Sequence, residues 1–291
     1  MVDLFLSYLK TEKRLSPHTV TAYSNDLQQF SDFLQVHYHT QNIHEAQFRE
    51  IRSWLATLIE NKISPVSVNR KIATLRSFYK FLERRGHLSV NPMIKIHSLK
   101  TPSKLPVFIE EKSMNTLFEN LDCKEGNFNQ QEELILELFY GTGMRLSELI
   151  HLKIKDIDIF DQKINVLGKR NKQRYIPLTN HLVTKLNDFL ATIDTSDLNQ
   201  YLFTGNSGKI LYPMYVQRLV KKHLGGVSTH KKQSPHVLRH TFATHLLNKG
   251  AELNAIKELL GHASLSATQI YTHNSIEKLK AIHKKAHPKS E

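Results

Sequence analysis

Cysteine is almost absent: among 291 residues there is one, Cys123. A single thiol excludes an intramolecular disulfide and any cysteine-rich zinc site. No apolar run approaches the ~20 residues that a membrane-spanning helix needs, so no membrane insertion is expected. The opening MVDLFLSYLKTEKR has an acid at position 3 and no long apolar core, so it does not read as a secretory signal. Histidine is plentiful, at 17, yet there is no HExxH and no Cys/His ligand spacing. His37/His39 and His283/His287 lie in polar runs, and no metal site or other cofactor is expected. No run of carboxylates stands ready to hold magnesium, as a metal-dependent nuclease requires. Internal repeats and low-complexity segments are also missing.

What is present is positive charge. Forty Lys and Arg face 27 Asp and Glu, a net charge of +13. A surface this basic suits a polyanion, with nucleic acid the first candidate; a solvated surface kept for solubility is the plainer use. Residues 1–100 carry 14 basic against 8 acidic side chains, and the rest carry 26 against 19. Both parts are therefore basic, and both could touch one polyanion. The length suggests two domains, and 40% hydrophobic residues suffice for ordinary cores. A cytosolic, nucleoid-associated location is expected.

Residues 1–97 read as wholly helical. Ser16-Pro17 and Ser64-Pro65 are helix openings, since serine caps free N–H groups and proline fits the first turn. Val20, Leu27, Phe30 and Leu34 form one apolar stripe; Ile51, Leu55 and Leu58 form the next, with Trp54 beside them as core. Ile72, Leu75, Phe78, Tyr79 and Leu82 form the last stripe. Its helix also carries Arg70, Lys71, Arg76, Lys80, Arg84 and Arg85. Cations so spaced match phosphates across a groove, or simply make a solvated face. Arg70, Lys71, Arg76 and Lys80 are taken as DNA contacts because the global charge agrees. Residues 98–107, with two prolines and no periodicity, read as a linker.

Residues 108–291 form the second domain. Its one clear β signal is a hairpin, Lys163–Leu167 and Arg174–Leu178, flanking a basic turn. Arg170, Lys172 and Arg174 there, and Arg218, Lys221 and Lys222 on a later amphipathic helix, are further candidates for phosphate contact. Arg145 follows the Gly141–Gly143 break at a helix start, where an anion is already favoured. A salt bridge to Glu148 or Asp156 is the structural alternative for it. The chain then centres on SPHVLRHTFATHLLNKGAELNAIKELLGHASLSATQIY, Ser234 to Tyr271. Ser234-Pro235 opens a helix that places His236 and Arg239 one turn apart; Gly250 and Gly261 read as left-handed helix ends. Arginine grips two phosphate oxygens at once, and tyrosine can serve as a nucleophile. The plainer reading makes His236 and His262 helix-end polar groups and Tyr271 a core aromatic.

PHVLRHTFATHLL, LLGHASLSATQIYTH and the upstream GTGMRLSELIHL closely resemble the tyrosine recombinases, in particular the Xer type, and the three occur in that family's order. The resemblance covers almost the whole chain. It implies a mainly α architecture: an N-terminal helical, SAM-like core-binding domain, then an α-rich catalytic domain with a small antiparallel sheet. The two would close as a clamp on double-stranded DNA. It implies a catalytic set of Arg145, Lys169, His236, Arg239, His262 and the nucleophile Tyr271. Lys169 follows Gly168 as the family's hairpin lysine does, although Arg170 stands where a glycine often follows. The implied reaction runs through a 3′-phosphotyrosine and a Holliday junction, without metal or ATP, and resolves chromosome dimers. The implied assembly is a tetramer, of identical chains or with a paralogue, with the C-terminal helix docking on a neighbour. A septal DNA translocase is an implied regulator. A mobile-element integrase of the same chemistry and a catalytically silent DNA-binding protein remain the alternatives; six filled catalytic positions speak against the latter.

Overall fold

The computed structural model describes residues 1–101, 107–122, 130–168, 173–205, 208–228 and 233–261. The described residues form eleven α-helices and one three-stranded sheet, the mainly α class expected. The chain divides into two compact units, Met1–Lys104 and Leu105–Glu291.

The first unit is four helices: α1 (Val2–Thr11), α2 (Pro17–Tyr38), α3 (Phe48–Glu60) and α4 (Pro65–Arg84). Ser16 and Ser64 cap as their sequence suggests, each Oγ accepting a backbone N–H at 3.3 Å from Thr19 and Ser67. Proline follows each at the first helical position, where no N–H is needed. The apolar stripes meet in a core that includes Phe5, Phe30, Ile51, Phe78 and Leu82. Trp54 is core, its ring 4.9 Å from that of Phe30. Tyr79 is buried and its hydroxyl donates to the Ile43 carbonyl, the partner a buried phenol needs. Leu99, inside the span read as a linker, is tied to α4: its N–H donates to Asn69 at 2.7 Å and its carbonyl accepts from Asn69 at 2.9 Å.

The second unit begins with α5 (Glu111–Asp122), α6 (Gln130–Thr142) and α7 (Leu146–Ile150). Three antiparallel strands follow, β1 (Ile157–Asp158), β2 (Lys163–Leu167) and β3 (Gln173–Pro177). Val166 lies opposite Arg174 and Ile164 opposite Ile176, and these four side chains are buried. Then come α8 (Asn180–Leu190), α9 (Pro213–Gly225), α10 (Pro235–Asn248) and α11 (Leu253–Leu260). Helix α6 is buried from Leu134 to Thr142 and is the central rod of this core. Helix α10 packs along it and is pinned by Thr241, whose hydroxyl accepts the Ile109 N–H at 3.0 Å. Gly250 and Gly261 take the left-handed conformations expected, at φ +83° and +63°. Ser234 departs from expectation. It sits at the N-cap of α10, but only its carbonyl accepts, from Val237 N–H at 2.9 Å; its hydroxyl makes no capping bond.

Candidate active site

The site is built at the C-terminal end of α11. A helix end leaves carbonyls without intrahelical partners and carries the negative pole of the helix dipole. Three guanidiniums from three other elements come to three successive carbonyls there. Arg174 of β3 donates through Nε to Leu259 at 2.9 Å, Arg239 of α10 through Nη2 to Leu260 at 2.6 Å, and Arg145 through Nη2 to Gly261 at 3.0 Å. Arg239 also donates through Nη1 to the Gly143 carbonyl at 2.6 Å. That carbonyl is available because Gly143, at φ +60°, turns the chain between α6 and α7.

One carboxylate, Glu148 of α7, lies among these cations. Its Oε1 accepts from Arg145 at 2.7 Å and from Arg174 at 2.6 Å. Its Oε2 accepts the Arg145 backbone N–H at 2.7 Å and Arg174 Nη2 at 2.9 Å. Burial acts to raise its pKa, but the hydrogen bonds from Arg174 and Arg145 and the Arg174 charge together outweigh it. The carboxyl is held at about 2 and stays ionised. Arg239 is 6% exposed, and burial followed by the neighbouring Arg145 and Arg174 charges lowers its pKa to about 10. It therefore remains a cation at neutral pH.

Three positive groups against one negative leave an excess of positive charge that is only partly covered by carbonyl dipoles. Partners among the described residues take two of the five N–H groups on Arg145 and two on Arg239. Arg145 is a quarter exposed along its side chain, so an anion can reach it. The salt bridge to Glu148 and a role in anion binding are thus compatible here. Of the remaining catalytic candidates, His236 lies exposed in the first turn of α10, one turn before the buried Arg239. Lys169, His262 and Tyr271 lie outside the described residues, as do Arg170 and Lys172.

Two of the proposed phosphate contacts are corrected. Lys71 is 5% exposed, and its ammonium is held by Asp26 at 2.9 Å and by Gln29. Arg174 is 4% exposed and its guanidinium is spent on Glu148 and Leu259. Neither charge can meet a phosphate, because both are already buried against carboxylates. Arg70 is exposed but paired with Asp26, and Arg76 donates to the Ile96 carbonyl at 2.9 Å while remaining on the surface. Lys80 is exposed on α4. Arg218, Lys221 and Lys222 share one exposed face of α9, with Lys222 3.9 Å from Glu132. The sequence reading had Glu148 only as a salt-bridge partner of Arg145 and missed its bond to Arg174. The signal was there in part: Arg174 is two residues from Ile176 and therefore shares its inward face.

No helix among the described residues is long and apolar enough to cross a membrane. Comparison with known proteins agrees over nearly all of the chain. Residues 107–278 match the phage integrase family, and residues 2–86 match the phage integrase N-terminal SAM-like domain. The tyrosine recombinase XerC of Oceanobacillus iheyensis is 39% identical over 295 residues, 99% of this chain and 96% of that protein. In fold the chain is similar to the XerH site-specific recombinase bound to a palindromic difH substrate. That TM-score is 0.71 at 21% identity, covering 97% of this chain and 83% of that one. It is similar also to a lambda integrase tetramer bound to a Holliday junction, at TM-score 0.67 and 17% identity, covering 92% and 79%. The chain belongs to the phage integrase family, the tyrosine recombinases that exchange DNA strands at specific sites.

Proposed function

We propose that Arg145 and Arg239 hold the scissile phosphate of double-stranded DNA while Tyr271 attacks it. The observation that carries this reading is the convergence of both guanidiniums on Leu260 and Gly261, the two residues just before His262. In this reading the Tyr271 oxygen bonds to phosphorus and the 5′ oxygen leaves. His236 takes the tyrosine proton, and Lys169 gives a proton to the departing oxygen. His262 hydrogen-bonds the phosphate. The two arginines stabilise charge on the non-bridging oxygens, the largest single contribution expected. The 3′-phosphotyrosine keeps the bond energy, and the freed 5′-hydroxyl of the partner duplex reverses the step.

The exposed cations Arg70, Arg76 and Lys80 on α4, and Arg218, Lys221 and Lys222 on α9, bind DNA backbone in this reading, together with Arg170 and Lys172. Four protomers, identical or paralogous, exchange strands on two duplexes in the cytosol and resolve chromosome dimers. The name of the Oceanobacillus relative and the Holliday-junction complex of lambda integrase support this part. The docking of the C-terminal helix and the septal DNA translocase as regulator enter on the family resemblance alone.

The test is a nicked duplex carrying a chromosome-dimer-resolution site, incubated with the full chain in the presence of a chelator. Wild type should give a covalent protein–DNA band and Tyr271→Phe none. Arg239→Ala should cleave at least ~10²-fold more slowly while still binding the duplex. Cleavage at the wild-type rate by either variant overturns the assignment.

A further inference from the structure

We infer that Arg174 is a positioning residue for cleavage: it neutralises Glu148, so that Arg145 keeps its charge for the phosphate. The inference rests on the proposed roles of Arg145 and Arg239. Arg174 was expected on the DNA, yet it is buried in β3 and cannot touch it. Its contacts suggest a different use.

Glu148 accepts four hydrogen bonds, two from Arg145 and two from Arg174. The Arg174 pair is a parallel fork, Nη1 to Oε1 at 2.6 Å and Nη2 to Oε2 at 2.9 Å. This two-point geometry is the strongest form an arginine–carboxylate pair takes. Counted as a pair, Arg174 and Glu148 cancel, and Arg145 and Arg239 remain as two uncompensated cations. Without Arg174 the same carboxylate cancels Arg145, and Arg239 alone faces the phosphate. A buried, low-dielectric setting makes that difference large.

Arg174 also fixes geometry. Its Nε holds the Leu259 carbonyl at 2.9 Å, one residue before the carbonyl held by Arg239 and two before the one held by Arg145. It lies close under Gly261: a methyl group added at that glycine would meet the Arg174 Cδ at 3.0 Å and Nε at 3.2 Å. The guanidinium therefore joins three things that the reaction needs in register. These are strand β3, which continues the segment bearing Lys169; helix α7, which opens after Arg145; and the end of α11, which leads into His262. Lysine keeps the charge of arginine but not the fork.

The experiment uses single-turnover cleavage of the nicked duplex at saturating protein, at a temperature where melting curves show every variant folded. Duplex affinity is measured separately. Arg174→Met should cleave about 10²-fold more slowly with unchanged affinity, the scale of effect that a small misplacement at a reacting centre produces. Arg174→Lys should fall between it and wild type. The double variant Arg174→Met/Glu148→Gln should cleave faster than Arg174→Met, because the carboxylate that quenches Arg145 is gone. Wild-type cleavage by Arg174→Met overturns the inference. So does a double variant no faster than the single, which would leave Arg174 a purely structural group. Arg239→Ala, run alongside, separates the two levels: normal cleavage by it overturns the phosphate-binding reading itself. On a duplex that wild type does not cleave, the rise in melting temperature on adding inorganic phosphate decides instead. That rise should shrink in Arg174→Met and return in the double variant, and an equal rise in all three overturns the inference.

Discussion

Each unit buries a carboxylate between basic side chains, Asp26 in the first and Glu148 in the second, and the two clusters differ in their balance. In the first unit Asp26 accepts from Lys71 at 2.9 Å, from Thr74 at 2.9 Å and from Arg70. Lys71 also meets Gln29 and lies 5.8 Å over the Trp54 ring. Every charged group at the centre of that cluster has a partner, and water is reached only at its rim, by Arg70 and Gln29. In the second unit Glu148 faces Arg145 and Arg174, with Arg239 in addition, and backbone carbonyls supply the remaining acceptors. Carbonyl dipoles orient a cation without cancelling its charge. The first cluster is a closed lock between α2 and α4; the second is an open set that gains from a further anion. A buried ion pair by itself therefore says little about function, and the surplus of one sign says more.

If the first cluster is a lock, breaking it costs stability and nothing else. Asp26→Ala leaves the Lys71 ammonium buried without its carboxylate, and should destabilise the chain by about 3–5 kcal/mol in denaturant unfolding. Adding Lys71→Met should recover most of that loss. A loss below about 1 kcal/mol, the range of exposed pairs, would mean that Lys71 simply swings into solvent and that no lock exists.

The second cluster should respond to acid through Glu148. The folded-state pKa, about 2, lies below the ordinary 4.5. A depressed carboxyl adds stability that is fully present above the unfolded pKa. It is lost as pH falls through that value toward the folded one. The window is thus from about pH 4.5 down to about 2, and the full contribution is roughly 3 kcal/mol. Unfolding free energies of wild type and Glu148→Gln, measured between pH 6 and pH 3, should converge as the pH falls. A gap that stays constant over that range would show that Glu148 is not ionised against its arginines.

The same contrast explains what could be read from residue order. Helices announced themselves through apolar periodicity and through Ser16-Pro17 and Ser64-Pro65, because capping is a local matter. The hairpin was equally local: alternation set Ile164 and Ile176 inward, and they pair. Lys71 was misread because a charge on a helix looks the same whether it faces solvent or a carboxylate 45 residues earlier. It does sit with Val68, Ile72 and Leu75 on one buried face, so the spacing held a warning. Arg174 was misread as part of a basic tip, although it is two residues from buried Ile176. The family motif singled out Arg145 and Arg239, but not that Glu148 would bridge the first to Arg174. Nor did it indicate that the end of α11 would gather all three. Those contacts join residues up to 116 positions apart, and no local pattern encodes them.

The finest test sets one glycine from each unit side by side. Gly86 follows α4 at φ +74°, and a methyl group there would meet nothing within 4 Å. Gly86→Ala should cost only the left-handed backbone penalty, about 1–2 kcal/mol, and leave cleavage per bound duplex unchanged. Gly143, at φ +60°, carries the same penalty, but its added methyl would overlap the Phe242 ring and sit 3.0 Å from Leu260. The overlap should add about 1–3 kcal/mol. It should also slow cleavage, because the Gly143 carbonyl is an acceptor for Arg239 and Leu260 carries the other. Equal losses in the two variants would mean that α6, α10 and α11 relax around the methyl without moving the guanidinium. In that case the second cluster would be held by its side chains alone, and the distinction drawn from its backbone acceptors would fall.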